Sequence, residues 1–210
     1  MIIVFLDRDG TLIEDSGYFG RDSNWKRDLR IYDGVIEGIK LLNRHGIQVV
    51  VVSNQSGVAR GLYDEERVEE INREIDARLR EEDAHVEGWY YCLYVGKKYL
   101  GERELSPEDI ADGYLDDEKA ECRKPRTGML EEVVRDLGVT LEEVQGYIVG
   151  DSLTDVKTGL NAGIKPIFVR NGINDNEEEK VRKKLESELK RIYFADNFYE
   201  AIEWIVEDSA

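Results

Sequence analysis

The chain has 210 residues, 41% of them hydrophobic, enough for a sizeable core, and no apolar stretch long enough to cross a membrane as a helix. Its formal net charge is −17, from 46 acidic and 29 basic residues, which counts against DNA or RNA as a partner. Two cysteines do not make a disulfide framework, and they are expected to be reduced and partly buried in a reducing compartment.

Taken in chain order, apolar runs alternate with helical patterns. Residues Ile2–Leu6 read as a first strand; the run is short and has no basic flank or cleavage site, so it is not a signal peptide. The cytoplasm is therefore the expected location. Val35–His45 has helical spacing at Val35, Ile39 and Leu42 and stops at Gly46. Ile47–Val52 is an almost continuous β-branched run, as expected of a strand buried on both faces. Glu65–Ala84 is a charged helix with Val68, Ile71, Ile75 and Leu79 on one face, followed by an aromatic-rich strand over Val86–Val95. Helices are predicted at Thr127–Leu137, Leu153–Ala162, Glu177–Arg191 and Phe198–Val206, and strands at Tyr147–Val149, Ile167–Val169 and Ile192–Phe194. Residues 96–121 are polar and acidic with no clear period, and read as an insertion or flap within one domain spanning 1–210.

This alternation implies an α/β fold, a central parallel sheet with helices on both faces. Ligands of such sheets sit off the carboxyl ends of the strands. Asp7, Ser53 and Asp151 each fall just after a predicted strand, so residues far apart in sequence are expected at one rim.

Four short pieces carry chemistry. "DRDGTL" (7–12) ends a buried strand on two carboxylates, a costly arrangement that calls for a cation; one carboxylate can act as nucleophile while the other moves protons. "VVSNQSGVARG" (51–61) empties a buried strand into hydroxyl, amide and backbone N–H groups suited to holding an oxyanion. "CRKPRTGM" (122–129) places Lys124 before a proline at the head of a helix, a point charge suited to a phosphoryl group. "IVGDSLTD" (148–155) offers Asp151 as an oxygen ligand for a hard cation such as Mg²⁺. Each alone has an ordinary reading: an Asp-Gly turn, a solvated lysine, a helix cap. Their order, each after a strand or at a helix start, favours a site.

The four pieces, over residues 2–172, resemble in order the four motifs of the haloacid dehalogenase superfamily of aspartate-nucleophile phosphohydrolases. Together with Gly17–Tyr18, they resemble the branch of heptose bisphosphate and histidinol-phosphate phosphatases. The resemblance implies a three-layer αβα Rossmann-like fold with a small insertion in place of a large cap. It implies that Asp7 attacks phosphorus, and that Asp9 protonates the leaving oxygen and then activates water. It further implies that Mg²⁺ is held by the Asp7 side chain, the Asp9 backbone carbonyl and Asp151, and that Ser53, Asn54 and Lys124 hold the phosphoryl oxygens. Arg123 is implied to recognise the rest of the substrate, with Asp15, Tyr18, Gln55 and Arg60 as further candidates, while Asp155 orients Lys124 or a metal-bound water.

Members of this branch often carry a zinc loop. Here Cys92 and Cys122 remain, but Tyr94 and Ala120 stand at the other two ligand positions, and two ligands cannot close a tetrahedral site. The expected activity is Mg²⁺-dependent hydrolysis of a small phosphomonoester, a sugar phosphate such as a heptose bisphosphate, by a monomer with no nucleic-acid or membrane partner. Histidinol phosphate is the alternative: Asp112, Asp116, Asp117 and Glu118 of the insertion suit its amine, whereas Arg60 and Arg123 suit an anionic or polyhydroxylated leaving group. A polynucleotide 3′-phosphatase and a non-catalytic phosphate-binding protein are weaker readings.

Overall fold

The structure, a computed structural model, describes residues 1–15, 17–171 and 175–210. Ser16 and Gly172, both spanned by the sequence reading, lie outside the described residues. Six strands form one sheet: β1 (Ile2–Leu6), β2 (Gln48–Asn54), β3 (Gly88–Cys92), β4 (Gln145–Gly150), β5 (Lys165–Val169) and β6 (Tyr193–Ala195). Their spatial order is β3-β2-β1-β4-β5-β6, and all five neighbouring pairs are parallel. The helices are α1 (Trp25–Asp28), α2 (Val35–Arg44), α3 (Ser56–Ala59), α4 (Glu65–Glu81), α5 (Lys97–Arg103), α6 (Gly128–Asp136), α7 (Leu153–Ala162), α8 (Asp175–Lys184) and α9 (Phe198–Ser209).

Side-chain alternation along the strands builds the three layers. Val4 and Leu6 of β1 and Val49 and Val51 of β2 face one cluster, with α2, α4 and α9 packed against them. Ile3, Phe5, Val50 and Val52 face the other side, against Met129, Leu130 and Val133 of α6. Farther along that side, Val156 of α7 and Val181 of α8 cover Phe168 of β5. Residues 3–6 are fully buried, which explains why β1 and β2 read as continuous apolar runs rather than alternating ones.

Several expectations need correction. Helix α4 ends at Glu81 and β3 begins only at Gly88, so both predicted segments were too long. The predicted helix over Glu177–Arg191 is α8 followed by a 3-10 segment, Glu186–Arg191, after a break at Leu185. The insertion is not irregular throughout. It contains α5 and two 3-10 turns, Pro107–Asp109 and Lys119–Cys122, around a small core of Tyr99, Leu100 and Ile110 with Ala59 and Val95. Elements of three to seven residues are too short to show a period. The Ala111 N–H donates to the Ala59 carbonyl (2.7 Å), tying the insertion to the chain just past β2.

The two cysteines are not reduced: Cys92 and Cys122 form a disulfide, with Cα atoms 5.5 Å apart. Cys92 ends β3 and Cys122 directly follows the insertion, so the bond closes the insertion at its base.

Candidate active site

Leu6 of β1 stands level with Val51 of β2 and with Val149 of β4. One residue farther on, the Asp7 N–H still donates to the Val149 carbonyl (2.9 Å), carrying the ladder to the sheet's rim. The expected convergence of Asp7, Ser53 and Asp151 therefore follows from strand register.

Asp7 is met there by Lys124, whose Nζ lies 2.8 Å from Asp7 Oδ1 and 2.6 Å from Asp155 Oδ1. The Arg8 N–H also donates to Asp7 Oδ1 (2.8 Å). Burial, and then the Asp155 charge, push the Asp7 carboxyl well above the usual carboxylate range, opposed by Lys124. Burial alone would lower the Lys124 ammonium; Asp155 and Asp7 outweigh it and raise its pKa.

Asp7, Asp151 and Asp155 each offer a carboxylate oxygen, and the three lie within 4.8 Å of one another. An all-oxygen, multiply anionic set suits a hard divalent cation. Gly10 leaves room for the Asp151 carboxylate: its φ is +84°, and a Cβ there would lie 2.3 Å from Asp151 Oδ2. Helix α7 presents Asp155 through its Ser152 cap, whose hydroxyl accepts from the Asp155 N–H (3.3 Å) and donates to Asp155 Oδ2.

The second carboxylate, Asp9, is held from two sides. The Arg8 fork reaches it with Nη2 (2.9 Å to Oδ2) and Nε (3.2 Å to Oδ1), while Arg8 Nη1 donates to Asn72 Oδ1 on α4 (2.9 Å). From the other side Gln55 Nε2 donates to Asp9 Oδ2 (2.7 Å) and to Ser53 Oγ (2.8 Å), and Tyr63 Oη donates to Gln55 Oε1 (3.1 Å). Gln55 is buried and its amide is engaged on both atoms, so its side chain braces Asp9. Asn54 likewise grips the backbone of Lys124: its Nδ2 donates to the Lys124 carbonyl and its Oδ1 accepts the Lys124 N–H, both at 3.0 Å. That occupies its side chain with the lysine.

A cavity of about 270 Å³ opens over Asp9, lined also by Asp15, Tyr18, Asn54, Gln55 and Arg103. Burial, and then the Asp9 charge, raise the pKa of Asp15, opposed by the Gly17 N–H that donates to it. Arg60 Nη1 donates to Tyr18 Oη (2.9 Å). Arg123 lies apart from this cavity, with its guanidinium over the Tyr99 ring at 4.7 Å; Arg103 lies over the same ring at 5.0 Å. The sequence reading missed Arg8, Tyr63, Asn72, Tyr99 and Arg103. Only Arg8 left a signal: a third charge at the end of a strand otherwise built for burial.

A strand end carrying Asp7 and Asp9, a buried lysine and a carboxylate cluster meet at the carboxyl rim of a parallel sheet, the arrangement expected of a phosphohydrolase of the haloacid dehalogenase class. Residues 121–201 match the family described as HAD-hydrolase-like. The D-glycero-beta-D-manno-heptose-1,7-bisphosphate 7-phosphatase of Haemophilus influenzae is 35% identical over 170 residues, 80% of this chain and 82% of that protein. Its counterpart in Escherichia coli K12 is 34% identical over 171 residues, 80% and 79%. The crystal structure of a D,D-heptose 1,7-bisphosphate phosphatase from B. bronchiseptica, complexed with magnesium and phosphate, superposes with a TM-score of 0.73 at 26% identity, covering 99% of each chain. The chain belongs to this family of haloacid dehalogenase-superfamily phosphatases, and it is a phosphoric monoester hydrolase.

Proposed function

We propose that the chain is a Mg²⁺-dependent phosphatase of a small sugar phosphate, with a heptose bisphosphate as the first candidate. The observation that carries this reading is Lys124 Nζ bridging Asp7 and Asp155 at 2.8 and 2.6 Å beside the three-carboxylate cluster. The relatives' names support the substrate, and the magnesium and phosphate of the crystallised neighbour support the cofactor.

In this reading Asp7 attacks phosphorus through a carboxylate oxygen. The bond from phosphorus to the ester oxygen breaks, and Asp9 gives that oxygen a proton. The aspartyl phosphate on Asp7 is then hydrolysed by a water whose proton passes to Asp9. Lys124 and the Ser53 hydroxyl hold phosphoryl oxygens, and Asn54 fixes Lys124 where it can do so. Asp7, Asp151 and the Asp9 carbonyl would hold Mg²⁺, with Asp155 beside them; when bound, Mg²⁺ supplies charge neutralisation to the phosphoryl oxygens.

Two acids of the insertion that had favoured histidinol phosphate are occupied with backbone. Asp117 Oδ1 accepts the Lys97 N–H (2.9 Å), and Asp116 Oδ1 accepts those of Glu118 and Lys119 (2.9 and 3.0 Å). This favours the anionic sugar ester. The same reading makes the enzyme a monomer without nucleic-acid or membrane partners. The charge of −17 supports the exclusion of nucleic acid, and among the described residues no helix is long and apolar enough to cross a membrane. A panel of phosphate esters with Mg²⁺, read as released phosphate, tests the function. Heptose bisphosphate is expected to lead and histidinol phosphate to trail; the reverse order would replace this substrate.

A further inference from the structure

The disulfide touches the candidate site from two directions. On β3, Cys92 is level with Asn54 of β2, and its carbonyl accepts the Gln55 N–H (2.8 Å). On the other side, Cys122 stands two residues before Lys124. Asn54 completes the circuit, because its side chain holds the Lys124 N–H and carbonyl, both at 3.0 Å. Strand pairing, the disulfide, the stretch from Cys122 to Lys124 and the Asn54 amide thus form a closed ring. That ring fixes the loop from which the Lys124 ammonium reaches Asp7 and Asp155. The loop has space to move once released: Arg123, Lys124 and Arg126 border a cavity of about 430 Å³, with Lys98, Lys157 and Lys184 also on its lining. The two sulfurs are unequally reachable. Cys92 is fully buried in the cluster of Phe5, Val52 and Met129, whereas Cys122 is only partly buried. An external thiolate therefore meets Cys122 first.

We propose that the Cys92–Cys122 bond is a redox modification site, opened by a dithiol, and that opening it slows turnover by releasing the loop that positions Lys124. One thiolate of the dithiol attacks Cys122 Sγ. The protein's S–S bond breaks, and Cys92 leaves with the electron pair and takes a proton. The second thiol of the reductant then attacks the mixed disulfide, forms the reductant's own disulfide and frees Cys122 as a thiol. Two electrons pass from the dithiol to the protein, and a disulfide oxidant reverses the sequence. Lys124 itself is chemically unchanged, so the cost is one of position. A misplacement of about 1 Å at a reacting centre costs up to about a hundredfold in rate. The Asn54 hydrogen bonds persist after reduction and keep the loss below that limit. The loss of turnover rests on the phosphatase reading; the release of the loop does not.

The test compares the full chain with its disulfide intact and after dithiothreitol has exposed both thiols, counted with a chromogenic thiol reagent, at a temperature below the unfolding of either form. On reduction kcat is expected to fall about tenfold with a smaller change in KM, and to return on reoxidation with oxidised glutathione. Cys122→Ser is expected to match the reduced enzyme and to be indifferent to dithiothreitol. A second readout needs no turnover: acetic anhydride labelling of Lys124, followed by mass spectrometry. Lys124 is buried with the bond intact, and its labelling is expected to rise severalfold on reduction, while that of Lys165, at the start of β5, stays constant. Unchanged kcat, or unchanged labelling of Lys124, after complete reduction would overturn the proposal. If the oxidised enzyme releases phosphate from no ester, the functional reading fails, and the labelling then decides by itself whether the bond holds the loop.

Discussion

Without the Lys124 ammonium, two carboxylates, Asp7 and Asp155, would face each other at the rim with no ion-pair partner among the described residues. Both Lys124 and Asp155 are almost wholly buried, so breaking this group by Lys124→Met should destabilise the metal-free protein by about 3–5 kcal/mol, measured by denaturant unfolding. The same variant should lose roughly a hundredfold or more in kcat, as expected when a preorganised charge is removed from a transition state. At Asp9 the determining feature is the fork of Arg8, which binds one carboxylate and Asn72 at once. A lysine cannot reproduce that geometry. Arg8→Lys is therefore expected to lower kcat by about tenfold or more with little change in KM, since small misplacements of a reacting group are expensive; a change confined to KM would mean that Arg8 acts on binding instead. At this scale Asp7, Lys124 and Asp151 were legible, because each sits at a strand end or helix start in a recognisable order. Asn54 and Gln55 were legible as site residues but not in what their side chains touch. Their partners, Lys124 and Tyr63, are fixed by packing that a single sequence does not encode locally.

Among the elements, the turn after β1 brings the chain closest to Asp151. Gly10 has a left-handed φ and no room for a methyl group, so Gly10→Ala must displace the Asp151 carboxylate. Weaker Mg²⁺ binding is the expected outcome, read by titration calorimetry, even if the variant folds. The insertion was legible as an interruption but not as structure. Helix α5 has only seven residues, and two of its apolar partners, Ala59 and Val95, lie outside the segment itself. The disulfide was missed because two cysteines alone do not reveal whether their Cα atoms come within bonding reach. Closing a loop of 30 residues is worth about 3–4 kcal/mol in the chain-entropy picture. Reduction, or Cys92→Ser, is expected to lower stability by an amount of that order and to loosen the segment that leads into Arg123 and Lys124. Unchanged stability after complete reduction would show that the packing of the insertion holds without the bond.

Across the whole molecule, one parallel sheet with its strands in register gathers candidate site groups from residues 7 to 155 at a single rim, and the alternation of apolar runs and helical patterns was enough to foresee this. The distribution of charge was not foreseeable. A net charge of −17 hides a local surplus of cations beside Lys124, because composition averages over surfaces that the fold keeps apart. Treatment with EDTA is expected to abolish phosphate release and Mg²⁺ to restore it; recovery with Zn²⁺ alone would contradict the oxygen-ligand reading of Asp7, Asp151 and Asp155. The most direct measurement is acid quenching during turnover, followed by mass spectrometry of the peptide that contains residues 2–12. A phosphoryl group carried by Asp7, formed and lost at the rate of turnover, is the expected result. Steady phosphate release with no modification of Asp7 at any time would contradict the mechanism on which the functional reading stands.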